Sequence, residues 1–122
     1  MNNLEQKVGE FCAAIQETKE YRDYREAAEI YDRDKAAQEL MKDFQMAQQE
    51  LAILRDGGFS GWEEQEKKLR SLLDEVKKNE TINKFSESRR KMEILIGDLA
   101  LAISNDIDFP FNLPPKKGCG CS

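Results

Sequence analysis

Leu40, Phe44, Ala47, Leu51 and Leu54 recur at alternating steps of four and three, the spacing that lays one apolar stripe along an α-helix. Neither glycine nor proline occurs from Phe11 to Asp56, so nothing of the strongest breaker type divides that stretch. Asp32 and Asp34 do divide it, because a short carboxylate accepts the free amides at a helix start. The pattern predicts one helix over 19–31 and a second over 34–55. Ahead of them Leu4, Val8, Phe11, Cys12 and Ile15 form the stripe of a short first helix, and Thr18 is placed to cap its successor. "DGGFSG" at 56–61 is the clearest break in the chain, since paired glycines supply the backbone freedom of a reversal. Ser60 then stands three residues before Glu63, the capping-box spacing. Trp62, Leu69, Leu72, Leu73 and Val76 line the next helix, and Asn79 caps a last one running to about Asn105. The expected fold is all-α: a long antiparallel helical hairpin with a short N-terminal helix in residues 1–105, followed by an extended tail over 106–122.

Two helices carry more apolar surface than a hairpin uses. Met92, Leu95, Ile96, Leu99 and Ile103 make one stripe, while Ile94 and Leu101, seven apart, lie off it. Met46 and Ile53 repeat the effect on the earlier long helix. A second apolar face calls for further cover, so the chain is expected to oligomerise through helix packing, with itself or with related helical proteins. Tyr21, Tyr24 and Tyr31 share a face with Ala27 and Ala28, which is read as packing rather than as a platform for bases. Cys12, between Phe11 and Ile15, is read as a small core residue.

Composition narrows the function. Acidic residues outnumber basic ones, 24 to 19, for a net charge of −5, which argues against a dedicated nucleic-acid binder. No run approaches the ~20 apolar residues that span a bilayer, and the N-terminus lacks the pattern of a signal peptide, so a cytoplasmic protein without a membrane partner is expected. There is no histidine, which excludes His-dependent triads and His-containing zinc sites. The acidic pairs Glu63-Glu64 and Asp32/Asp34 read as caps and solvated helix faces, and no glycine-rich phosphate loop is present. The chain is not expected to be an enzyme.

The chemistry lies at the end of the tail. In "DIDFPFNLPPKKGCGCS" Ile107, Phe109, Phe111 and Leu113 alternate with Asp108, Pro110 and Asn112, the period of an extended segment with one apolar edge. Its prolines exclude a central strand, so the segment is expected along a groove between helices. Cys119 and Cys121, separated by Gly120 alone, can turn both sulfurs toward one soft metal. Two thiolates fall short of the four ligands that zinc and most iron-sulfur clusters take. The remainder would come from Cys12, carboxylates, a second copy of the tail or a partner. A redox dithiol, a passive tail and a poorly matching prenylation box are the alternatives.

"KEYRDYREAAEIYDRDKAAQELMKDFQMAQQELAILRDGG" resembles the YlbF/YmcA regulators of Gram-positive bacteria, with Glu20-Tyr21, Tyr24, Ala27, Asp34, Leu40, Phe44 and Gln48 at matching places. "NETINKFSESRRKMEILIGDLALAI" is similar to the family's Asn-x-x-Ile, aromatic and Leu/Ile-rich ending, with Phe85 in place of a usual tyrosine. The resemblance covers residues 3–105. It implies a small all-α protein, dimeric or larger, without catalytic activity. It further implies a regulatory adaptor that assembles with a YaaT-like protein, is linked to RNase Y dependent messenger maturation, and acts in sporulation, competence and biofilm control. By the same resemblance Cys119 and Cys121 would be ligands of an iron-sulfur cluster shared between chains, or of zinc. A coiled-coil structural or chaperone-like module with a passive tail is the alternative class.

Overall fold

The computed structural model describes residues 2–111. Five helices follow one another: α1 (Asn3–Gln16), α2 (Lys19–Arg33), α3 (Lys35–Asp56), α4 (Trp62–Lys78) and α5 (Glu80–Ile107), and among the described residues there is no strand. Each break sits at a residue whose side chain accepts a backbone amide. Thr18 accepts from Tyr21, Asp34 from Ala37 and Asn79 from Ile82, the bonds that satisfy the orphan donors of a helix start. At two of these breaks a second amide side chain, four residues on, closes the helix behind. Gln38 Nε2 donates to the Tyr31 carbonyl at 2.8 Å, and Asn83 Nδ2 donates to the Lys77 carbonyl at 2.6 Å.

The helix after the glycine turn starts differently from the capping-box expectation. Gly61 itself occupies the cap position, in the left-handed region at φ 92°, and no side chain caps α4. A residue other than glycine is strained there. With Gly61 so placed, Trp62 opens the helix and the Ser60–Glu63 spacing is one residue out of register with it. At the other end α5 runs two residues beyond Asn105 and takes in Ile107, so the alternating edge does not begin there. Asp108 enters the left-handed region at φ 53°, which Asp tolerates better than most residues. The Phe109 amide returns to the Ser104 carbonyl at 3.2 Å and the Phe111 amide reaches Ser104 Oγ at 2.7 Å. The chain therefore folds back over the last turns of α5.

α2 packs along α5, and α3 along α4. Phe85 stacks on both Tyr24 and Tyr31, with ring centroids 5.8 Å and 4.9 Å away, an offset arrangement favoured for aromatic pairs. Near the glycine turn Arg55 lies 5.2 Å above the Trp62 ring and 3.9 Å from Glu66. What these contacts enclose is small. The buried apolar residues are Ala27, Ala37, Ala47, Leu51 and Ile82, and among the described residues no large side chain is fully enclosed. Leu40, Phe44, Leu54, Leu95, Ile96 and Leu99 are only half-buried.

Asp34 ties its break to the facing one. The Ala37 amide, then the Thr81 hydroxyl, hold its carboxyl below the usual aspartate range. An unfolded aspartate titrates near ~3.9, so this stabilisation is complete above that value and is lost as the pH falls through the lower folded one. Asp34→Asn keeps a capping acceptor without the titration. Its urea midpoint is expected to drop less than that of the natural chain between about pH 6 and about pH 3; equal drops would remove Asp34 from the acid response.

Candidate functional site

The surface of this chain offers two kinds of feature, and small residues create the first. Where α2 crosses α5, Ala27 and Ser88 face each other and are buried. Ser88 needs no outside partner, because its hydroxyl donates to the Phe85 carbonyl at 2.9 Å. Small side chains leave space beside them, and an open groove of about 880 Å³ runs there. Ile30, which is 48% exposed, forms its apolar shoulder. Glu20, Asp23 and Glu26 line the α2 side, and Lys84 and Lys91 line the α5 side. The hydrogen bond from Lys19 to Asp23, 2.8 Å long, keeps that carboxyl below its ordinary range, and the Lys91 charge acts in the same direction. The groove thus has an acidic wall, a lysine wall and a narrow apolar floor.

Unpartnered apolar stripes are the second feature. Met46 and Ile53 on α3, and Ile94 and Leu101 on α5, are exposed, as the spacing of seven predicts for a face turned from the packed stripe. α1 departs from expectation. Leu4, at 73%, and Val8, Phe11 and Cys12 are all exposed, and only Ile15 is half-buried. Cys12 is therefore not a core residue. Its helix is joined to α2 through the last turn, where Thr18 Oγ1 donates to the Ile15 carbonyl at 2.7 Å, and the rest of the stripe meets no surface that would bury it.

Cys119 and Cys121 lie outside the described residues, as do Leu113 and the last two prolines of the tail. Among the described residues no three His, Cys, Asp or Glu side chains converge as metal ligands. A metal held by Cys119 and Cys121 would thus find no ready-made set of remaining ligands in the helical body. Tyr24 and Tyr31 are consumed in the stack on Phe85, which agrees with their reading as packing residues. The charged groove was not anticipated. Its sequence signal was present in the i, i+3 pair Glu20 and Asp23 and in Lys84 and Lys91, seven apart, but their facing one another depends on the pairing of α2 with α5.

A body of paired helices with a thin core, exposed apolar stripes and no convergent set of titratable groups suits contact with other proteins. Residues 4–108 match the family described as control of competence regulator ComK, YlbF/YmcA. The chain belongs to this family. The YlbF/YmcA match takes in all five helices almost completely, from the exposed stripe of α1 to the left-handed Asp108. Similar curated proteins include UPF0342 proteins of Alkalihalophilus pseudofirmus and Halalkalibacterium halodurans, each 25% identical over 93% of this chain and covered over 97% and 98% of their own lengths. A UPF0342 protein of Shouchella clausii is 23% identical over 96% of the chain and 99% of its own. No solved structure matches. No helix among the described residues is long and apolar enough to cross a membrane.

Proposed function

We propose that this YlbF/YmcA protein is a non-catalytic regulatory adaptor in competence control, assembling as a helical hairpin with further copies or with related helical proteins and a YaaT-like partner. The observation that carries this reading is the mismatch between a family-wide helical body and its cover. Met46, Ile53, Ile94 and Leu101 are exposed on helices whose opposite faces are already packed, and apolar faces of this kind mark interaction sites. Action through protein contacts, including on RNase Y dependent messenger maturation, suits a chain of net charge −5 better than direct contact with RNA.

In a competent Gram-positive host lacking its own family member, the natural chain is expected to restore transformation. The chain carrying Met46→Glu and Ile53→Glu is expected to keep its helicity and restore at most about a tenth as much, the loss expected when an interface anchor worth over ~1 kcal/mol is removed. Restoration by both chains alike would count against these faces, and by neither against the adaptor reading.

The tail adds a second element to the proposal. Cys119 and Cys121 would contribute two thiolates to an iron-sulfur cluster shared between chains, with zinc as the alternative. Supporting this are the Cys-Gly-Cys spacing and the lack of other convergent ligands in the described body, which throws the remaining coordination onto a second tail or a partner. Protein purified without oxygen should show broad visible absorption with matching iron and sulfide. Cys119→Ser with Cys121→Ser should remove all of it and leave the far-ultraviolet spectrum unchanged. Metal-free natural chain, alone and co-purified with its partner, would leave the tail passive, as in a plain structural or chaperone-like module.

A further inference from the structure

We infer that α1 is an exchanged arm: its apolar stripe docks in the groove between α2 and α5 of a second copy of this chain, and the second copy's α1 docks in return. The inference deepens the assembly part of the proposed function and rests on that part alone.

α1 has no buried residue, and Gly9 stands in its middle. Isolated helices shorter than about 12–15 residues are marginal in water, and an interior glycine weakens them further. Fourteen residues of this kind need a surface to lie on. Its own chain provides little, because Thr18 starts α2 directly after the short link and only the last turn of α1 is held. Each copy therefore carries one uncovered arm and one unfilled groove. Two copies related by a two-fold axis cover both at once, and such a closed exchange leaves neither feature over.

Dimensions and charge agree with this occupant. At ~1.5 Å per residue, α1 is about 21 Å long and the groove from Glu20 to Ile30 about 15 Å, so the arm spans the groove with its end turn to spare. Ala27 and Ser88 let another helix approach closely, and Ile30 offers it an apolar contact. On α1, Leu4, Val8, Phe11 and Ile15 share a face, while Glu5 and Lys7 lie on its opposite flanks by helical period. The groove presents carboxylates along α2 and lysines along α5. An arm laid with Lys7 along the carboxylates puts Glu5 along the lysines, which also fixes its direction.

The exchange is tested with two full-length variants in reducing buffer, by sedimentation equilibrium and native mass spectrometry. Phe11→Asp spoils the arm and Ile30→Asp spoils the groove. Both positions are exposed in the single chain, so neither substitution disturbs its packed interior. The natural chain is expected to be a dimer, and each variant to dissociate at least about 30-fold more readily, the loss of a strong interface anchor. An equal mixture of the two is expected to form heterodimer more tightly than either variant pairs with itself, because one sound arm then meets one sound groove. A monomeric natural chain, undiminished dimers in both variants, or a mixture no tighter than its components would overturn the exchange. The transformation assay, which uses other positions, would still stand or fall by itself.

Discussion

Replacing Phe85 with alanine is expected to destabilise the chain by about 3 kcal/mol, near the lower end of the range for losing a buried aromatic ring because Phe85 is half-buried. The ring is in contact with Tyr24 and Tyr31 at once, at interplanar angles of 26° and 16°. Aromatic pairs contribute about 0.5–1.5 kcal/mol beyond their area, so two are lost together with the ring's own burial. A domain of this length has about 5–15 kcal/mol in all, and the melting temperature should fall by about 10 °C. Phe85→Leu keeps most of the apolar area without the stack and should recover about half. Thermal melts of the three chains followed by circular dichroism decide it. A drop of less than about 2 °C for Phe85→Ala would mean that the α2–α5 pairing is held elsewhere.

Ala37→Leu is expected to cost about 2 kcal/mol for the opposite reason, because overfilling an enclosed site forces side chains and backbone aside. Ala37 is 0% exposed and stands in the first turn of α3. Its amide is the one that donates to Asp34, at 3.0 Å. Three added carbon atoms therefore press on the cap as well as on the neighbouring helices. Ala36→Leu, one residue earlier and exposed, should stay within about 0.5 kcal/mol of the natural chain. Similar urea midpoints for the two variants would show that the site can relax around a larger side chain.

Much of the helical course was legible because it is written locally. Thr18, Asp34 and Asn79 announce helix starts by chemistry that acts within three residues, and the structure uses all three. The alternation of four and three likewise sorted the half-buried Leu95, Ile96 and Leu99 from the exposed Ile94 and Leu101. Periodicity reports which face is apolar and not what lies against it, and for that reason Cys12 and its stripe were assigned to a core that the single chain does not provide. Ser60 misled because two local signals compete: the hydroxyl is correctly spaced for a cap, yet Gly61 takes the left-handed conformation and starts the helix a residue later. The groove was illegible on other grounds, since Glu20 and Lys84 are brought to one trough only by tertiary pairing. Cys119 and Cys121 remain a reading of the sequence, outside the described residues.

The turn at Gly57 to Gly61 also orders events in time. Arg55 meets Trp62 and Glu66 as soon as a short loop closes, whereas Tyr31 finds Phe85 only after all of α3 and α4 has intervened. Closing a longer loop costs more chain entropy before any contact rewards it. Folding should therefore zip outward from the glycines, with α3 and α4 joined first and α2 and α5 last. Run in reverse, the same order makes the α2–α5 end the first to open, and amide hydrogens there should exchange with solvent sooner than those of α3 and α4. A partner that clasps this end acts on the least durable part of the chain, and so governs how long the whole of it stays closed.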